Sequence, residues 1–139
     1  MKGMTMPQIA FASAPGEYRP GACNIGPAEI GRRRRSGIAG LAATAVLAVI
    51  LVALDAPVAA RWLVALPLAA GAISLLQVRF HFCAAYGMAG IRNLGALGSV
   101  ERVEDAAARR ADRAKAISIL LAGGALGVAG AMAFVLLPV

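Results

Sequence analysis

Charge is scarce in this chain: only 15% of its 139 residues are Asp, Glu, Lys or Arg, where an average soluble domain has about a quarter. With 60% hydrophobic residues and a mean hydropathy of +0.74, that shortage excludes an ordinary soluble domain. Aromatic residues are few as well, at 5%. The apolar content is mostly Ala, Leu, Val and Gly, which suits close helix packing in lipid better than a bulky globular core. One histidine and two cysteines fall short of the paired ligand clusters of a zinc site, so neither a metal nor another cofactor is expected. The histidine, His81, has no carboxylate beside it in sequence, so no general acid–base pair can be assembled and no enzyme is expected. The apolar stretches carry no ionisable residue near their centres, which argues against a proton relay or an ion-coupled transporter.

What is present is a set of three long apolar runs. Gly37 to Leu54 holds no charge and is close to the roughly 20 residues needed to cross a bilayer. Asp55-Ala56-Pro57 ends it, because Pro57 disfavours helix at the preceding residue. Ala59 to about Val78 forms a second run, opened by Arg61 and Trp62 at the lipid interface, with a kink expected at Pro67. Residues 80 to 91 are too short and glycine-broken to span, and are expected at the interface. From Ser99, read as an N-cap with Glu101 in the first turn and an Asp105–Arg109 pair, a solvated helix of about four turns should continue into Ala116 to Val139. The fold class is therefore an all-α membrane protein with three transmembrane helices: a hairpin, an interfacial segment, and a long charged helix running into the third span. The chain divides into an N-terminal arm (1–35), a hairpin with its interfacial segment (36–91), and the charged helix with the third span (92–139). The arm carries no signal-peptide pattern and is expected to stay attached.

All basic residues except Arg61 gather on one side of such a three-span arrangement, before the first run or between the second and third. The positive-inside rule makes that side cytoplasmic, with the carboxyl terminus outside and the bacterial inner membrane as the location. Arg32, Arg33, Arg34 and Arg35, directly before a span and without interleaved aromatics, are read as a topology signal holding anionic lipid head groups rather than as a nucleic-acid site. Gly123, Gly127 and Ala131 recur at four-residue spacing, a small-residue face that lets another helix approach closely. Cys23 and Cys83 fall on the same side and could meet. A permanent disulfide is not expected in a reducing compartment, so two readings stay open: buried small residues, or a candidate thiol site with His81 that handles sulfur, binds metal or senses oxidation.

Asn24-Ile25-Gly26, the arginine run, Gly37, about 40 mostly apolar residues and then Phe82-Cys83-Ala84-Ala85-Tyr86-Gly87-Met88-Ala89-Gly90-Ile91 resemble the YgaP-like transmembrane domain, a bacterial two-helix module. The resemblance covers roughly Cys23 to Ile91 and implies a helical hairpin that dimerises, sometimes attached to a rhodanese domain that handles sulfane sulfur. Cys83 matches the family's cysteine, whereas Ala84 stands where the family has proline, and the charged helix and third span lie outside the pattern. The expectation is a small non-enzymatic membrane protein acting by helix packing, with membrane lipids and either further copies or other membrane subunits as partners. The alternative is the thiol site.

Overall fold

The computed structural model describes residues 17 to 139, which form an all-helical bundle with three helices long and apolar enough to cross a membrane. In chain order these residues build α1 (Pro27–Ala53), α2 (Val58–Arg61), a 3-10 turn (Trp62–Val64), α3 (Ala65–Phe80), α4 (Ala84–Ala89), β1 (Ile91–Arg92), β2 (Glu101–Arg102) and α5 (Ala106–Val135). The candidate spans are α1, the run from α2 through α3, and α5. The chain is a small multi-pass helical membrane protein.

α1 begins ten residues earlier than expected. Pro27 sits at its first position, where a missing N–H would have had no partner anyway. Arginine is a good helix former, so the run 32 to 35 lies inside the helix, not in an arm. At about 100° per residue the four side chains point in different directions, and Arg33 alone turns inward. α5 starts later than expected. Asp105 is its N-cap, accepting a hydrogen bond from Ala108 N at 2.9 Å, whereas Ser99 caps nothing and Glu101 lies in β2. Arg109 does not pair with Asp105 through its side chain. Its guanidinium donates to the carbonyls of Val103 (2.9 Å) and Glu104 (2.8 Å), tying the β2–α5 connection to the helix. The second span is interrupted one turn before Pro67, in the 3-10 turn Trp62–Val64: Pro67 lacks the N–H that would donate to the Leu63 carbonyl four residues earlier, so the α-helical ladder breaks in the preceding turn. Arg61 is buried rather than extended to the lipid interface: it donates to Val139 O and lies 5.9 Å from the Phe134 ring, joining the start of the second span to the end of the third.

α3 is the middle helix, packed on α1 along one face and on α5 along another. Lipid tails are as apolar as Leu, so helices associate in a bilayer through close contact rather than through burial from water. At the α1–α3 crossing a Cβ on Gly40 would fall 2.7 Å from Gly71 Cα. On α5, Gly123, Gly127 and Ala131 are all buried against this chain's own second span; a Cβ on Gly127 would fall 2.9 Å from the Ala65 carbonyl oxygen. The small-residue face thus serves packing within the chain. Apolar clusters close both ends of the bundle: Phe82, Ala84, Ala116 and Ile119 at the end where the arginines gather, and Leu51, Val64 and Ala131 at the far end.

Candidate functional site

The segments flanking α1 and α3 at the basic end fold over the bundle as a cap. α3 stops at His81, whose left-handed backbone (φ 52°) turns the chain away from the helix axis. The turn drops Phe82 and Cys83 into the interior and starts α4, which Gly90 ends in the same left-handed conformation (φ 72°). Two short extended pieces then lie side by side, Asn24 to Gly26 and the chain around Asn93. Asn93 N donates to Asn24 O at 3.0 Å, and Gly26 N donates to Asn93 O at 2.9 Å. A Cβ on Gly26 would sit 2.5 Å from the Leu94 carbonyl oxygen, so only glycine permits this approach.

Inside the cap lies a cluster of polar side chains with almost no exposure. Glu29, 0% exposed, is ion-paired with Arg33 one turn on, and its other oxygen accepts from Tyr86 OH (3.1 Å) and Asn93 Nδ2 (3.1 Å). Arg33 crosses the Tyr86 ring at 5.3 Å and donates through Nη2 to Cys83 Sγ at 2.7 Å. Asn24 clamps the Cys83 backbone from both sides, accepting from Cys83 N at 2.6 Å and donating to Cys83 O at 3.1 Å. Gln77 accepts from Ala84 N at 2.9 Å. Burial, reinforced by the hydrogen bond to Glu29, holds the Tyr86 phenol above its ordinary range. Beside this cluster, Asp112 of α5 is also 0% exposed and accepts from Tyr18 OH and from Gly21 N, each at 2.7 Å, docking the segment before α1 onto α5. Burial and the Asp112 hydrogen bond push the Tyr18 phenol well up.

The thiol residues are both buried and both free, and their sulfurs face different partners. Cys23 Sγ donates to Ile25 O at 3.6 Å, and burial pushes its thiol up; Cys83 Sγ takes the Arg33 hydrogen bond. Asn24, next to Cys23, is what binds Cys83, so the two backbones meet while the sulfurs do not share a partner. His81 is exposed and contributes its carbonyl, which accepts from Asn24 N at 3.2 Å. Among the described residues no group of three or more His, Cys, Asp and Glu is placed to hold a metal ion. Arg32, Arg34 and Arg35 are exposed at the rim, apart from the cluster that holds Arg33.

Glu29, Asn93, Tyr86, Gln77 and Asp112 escaped the reading of the sequence. Glu29 and Arg33 carry the four-residue spacing of a helical ion pair. Asn24-Ile25-Gly26 and Asn93-Leu94-Gly95 repeat one another, a signal that could have paired the two segments. Chemically the cluster is closed. Glu29 already accepts from three side chains, which makes it a poor base, and Arg33 is divided between a carboxylate and a sulfur.

These features define a class, the small helical membrane proteins with three candidate spans, here closed at one end by a buried polar cap. No family model, no curated protein and no solved structure matches the chain. Asn24, Gly26, Arg33, Cys83 and Tyr86 meet in or against this cap.

Proposed function

We propose that this chain is a non-enzymatic membrane protein of the YgaP-like kind that acts through helix packing, either as a homo-oligomer or as an accessory subunit of a larger membrane complex. In this reading the basic end faces the cytoplasm and the protein lies in a bacterial inner membrane. The carrying observation is the outer face of α1. Gly37, Gly40 and Leu51 turn toward the rest of the bundle, while Ala39, Ala42, Val46, Val49 and Ala53 are exposed along the opposite side. These five recur every three or four residues, the spacing of a helix–helix seam, and most are small. The α5 small-residue face is already occupied within the chain, whereas the small residues Ala39, Ala42 and Ala53 of α1 stay uncovered. Light scattering in mild detergent should give a particle larger than one chain, and Ala42→Phe should reduce it to a single chain. A wild-type particle that is one chain with no co-purifying protein refutes the proposal.

A second reading, a thiol site, is favoured by one contact: the Arg33 guanidinium on Cys83 Sγ. A cation beside a cysteine sulfur is a recurrent feature of reactive thiols. In this form the site is Cys83 with Arg33, without Cys23 or His81. Mass spectrometry after mild peroxide treatment should find Cys83 oxidised ahead of Cys23. Equal resistance of both thiols until the protein unfolds sinks this reading.

A further inference from the structure

The middle position of α3 leaves a groove over it, between α1 and α5, of about 630 Å³. Its walls are Leu41 of α1, Leu68, Ala72 and Leu75 of α3, and Leu126 and Ala129 of α5, so they offer nothing to a polar ligand. The basic end of the groove is different. Leu68, Ala72, Leu75 and Arg79 follow one another at helical spacing, which puts Arg79 at the head of the groove's floor. Lys115 lies 14 residues, about four turns, before Ala129 on the same side of α5. Arg34 lies two turns before Leu41 on α1. Lys115 Nζ stands 3.8 Å from the centre of the Phe80 ring, and the Arg79 guanidinium stands 5.9 Å from the same ring. Among the described residues the ion pairs are Arg33–Glu29 and Arg92–Glu101, so the cations at this mouth have no carboxylate partner.

Two like charges gathered on one ring repel each other, and an anion between them would reverse the sign of that interaction. From this arrangement we propose that the groove seats one anionic phospholipid, with its phosphate on Arg79 and Lys115, assisted by Arg34, and an acyl chain along α3. Each half of the ligand is required by a different half of the site. A free phosphate would leave the apolar walls uncovered, a zwitterionic lipid would leave the cations with no net negative charge, and a helix from a second copy would cover the walls without bringing an anion. The site uses other residues than the α1 face invoked for oligomerisation, so either proposal can fail alone.

Native mass spectrometry of the full chain in mild detergent tests this, with phosphatidylglycerol, phosphatidylcholine and inorganic phosphate as separate probes. One phosphatidylglycerol should bind saturably. Basic residues at a membrane surface contribute about fivefold each to affinity for anionic lipid, so Arg79→Gln with Lys115→Gln should weaken binding about 25-fold. Ala129→Phe, which fills the groove and leaves every charge in place, should abolish it, and Arg32→Gln with Arg35→Gln, which removes the same charge outside the groove, should weaken it less than the Arg79 and Lys115 changes do. Equal retention of phosphatidylcholine, competition by inorganic phosphate at the same concentration as lipid, or indifference to the Arg79 and Lys115 changes would each overturn the assignment. Circular dichroism confirms that the variants keep their helices, and light scattering on the same samples reads the oligomeric state independently.

Discussion

Replacing Arg33 by Met keeps the stem of the side chain and removes its charge, leaving Glu29 in a site with 0% exposure and only Tyr86 and Asn93 as donors. Breaking a buried ion pair from one side costs about 3 to 5 kcal/mol, because the surviving charge stays buried without its counter-charge. The Cys83 sulfur loses its donor as well, which adds to the loss. Glu29→Gln should be as damaging from the other side, since the Arg33 guanidinium then lacks a carboxylate. The double replacement should recover much of this. A glutamine oxygen still accepts from Tyr86 and Asn93, and exchanging a whole buried pair for neutral groups of similar volume is often near neutral. The double variant should therefore lie about 1 to 2 kcal/mol below wild type, far from the sum of the single losses. Denaturant unfolding in detergent micelles, followed by circular dichroism, measures all three. Arg32, Arg34 and Arg35 supply the internal control: each is exposed, and each change to Gln should shift stability by less than about 0.5 kcal/mol. Equal effects at all four arginines, or additivity of the Glu29 and Arg33 changes, would refute the closed cluster.

Three further outcomes are expected. Gly127→Val should separate α5 from α3, since a Cβ there meets the Ala65 carbonyl oxygen at 2.9 Å, and should destabilise by about 1 to 3 kcal/mol, while Gly124→Ala, with open space around it, should be neutral or stabilising in thermal melts. Asp112→Ala should release the segment around Tyr18 and Gly21 and make it the first site of limited proteolysis, with the helix content unchanged. Both tyrosines of the chain, Tyr18 and Tyr86, have phenols raised by burial and by a carboxylate, so their contribution to stability is complete below about pH 10, where an unfolded tyrosine titrates, and is lost as the pH rises through the higher folded values. Tyrosinate absorbance should accordingly rise later in the folded protein than in the denatured chain, and coincident titration curves would contradict the cap.

The three spans were legible because an uncharged run of bilayer length has few alternatives to a transmembrane helix. Their boundaries were not. The arginine run looked like a loop by charge, yet arginine propagates a helix well and Pro27 is a favoured first residue, so α1 starts at Pro27 and carries the run inside it. Ser99 and Asp105 are both good caps by residue type. The pairing of β2 with β1 across the turn at Gly98 decided in favour of Asp105, and pairing is a property of two segments together rather than of the cap residue's type. The cap was hidden for the same reason. Asn24, Glu29, Cys83 and Asn93 are unremarkable one at a time, and their contacts close over separations of 59 and 64 residues.

A polar cap answers a difficulty peculiar to this composition. The three spans present Ala, Gly and Leu on nearly every side, and in lipid no hydrophobic force distinguishes one apolar face from another. Glycine contacts allow close approach, but a run of small residues tolerates sliding by a turn or rotation by one position. Hydrogen bonds do not, because each buried donor must find its acceptor within a few tenths of an ångström. The Glu29–Arg33–Cys83 chain joins α1 to the turn after α3, Asn93 brings in the β1 connection, and Asp112 fixes α5 to the segment before α1. Each span is thereby held in register at its basic end by groups that satisfy one another in a single arrangement. The far end has the Arg61 bond to Val139 O and otherwise relies on apolar packing. Disruption of the cap should therefore loosen all three spans together, whereas Arg61→Met should loosen only the far ends of the second and third, a contrast that cysteine crosslinking at the two ends of the bundle would reveal.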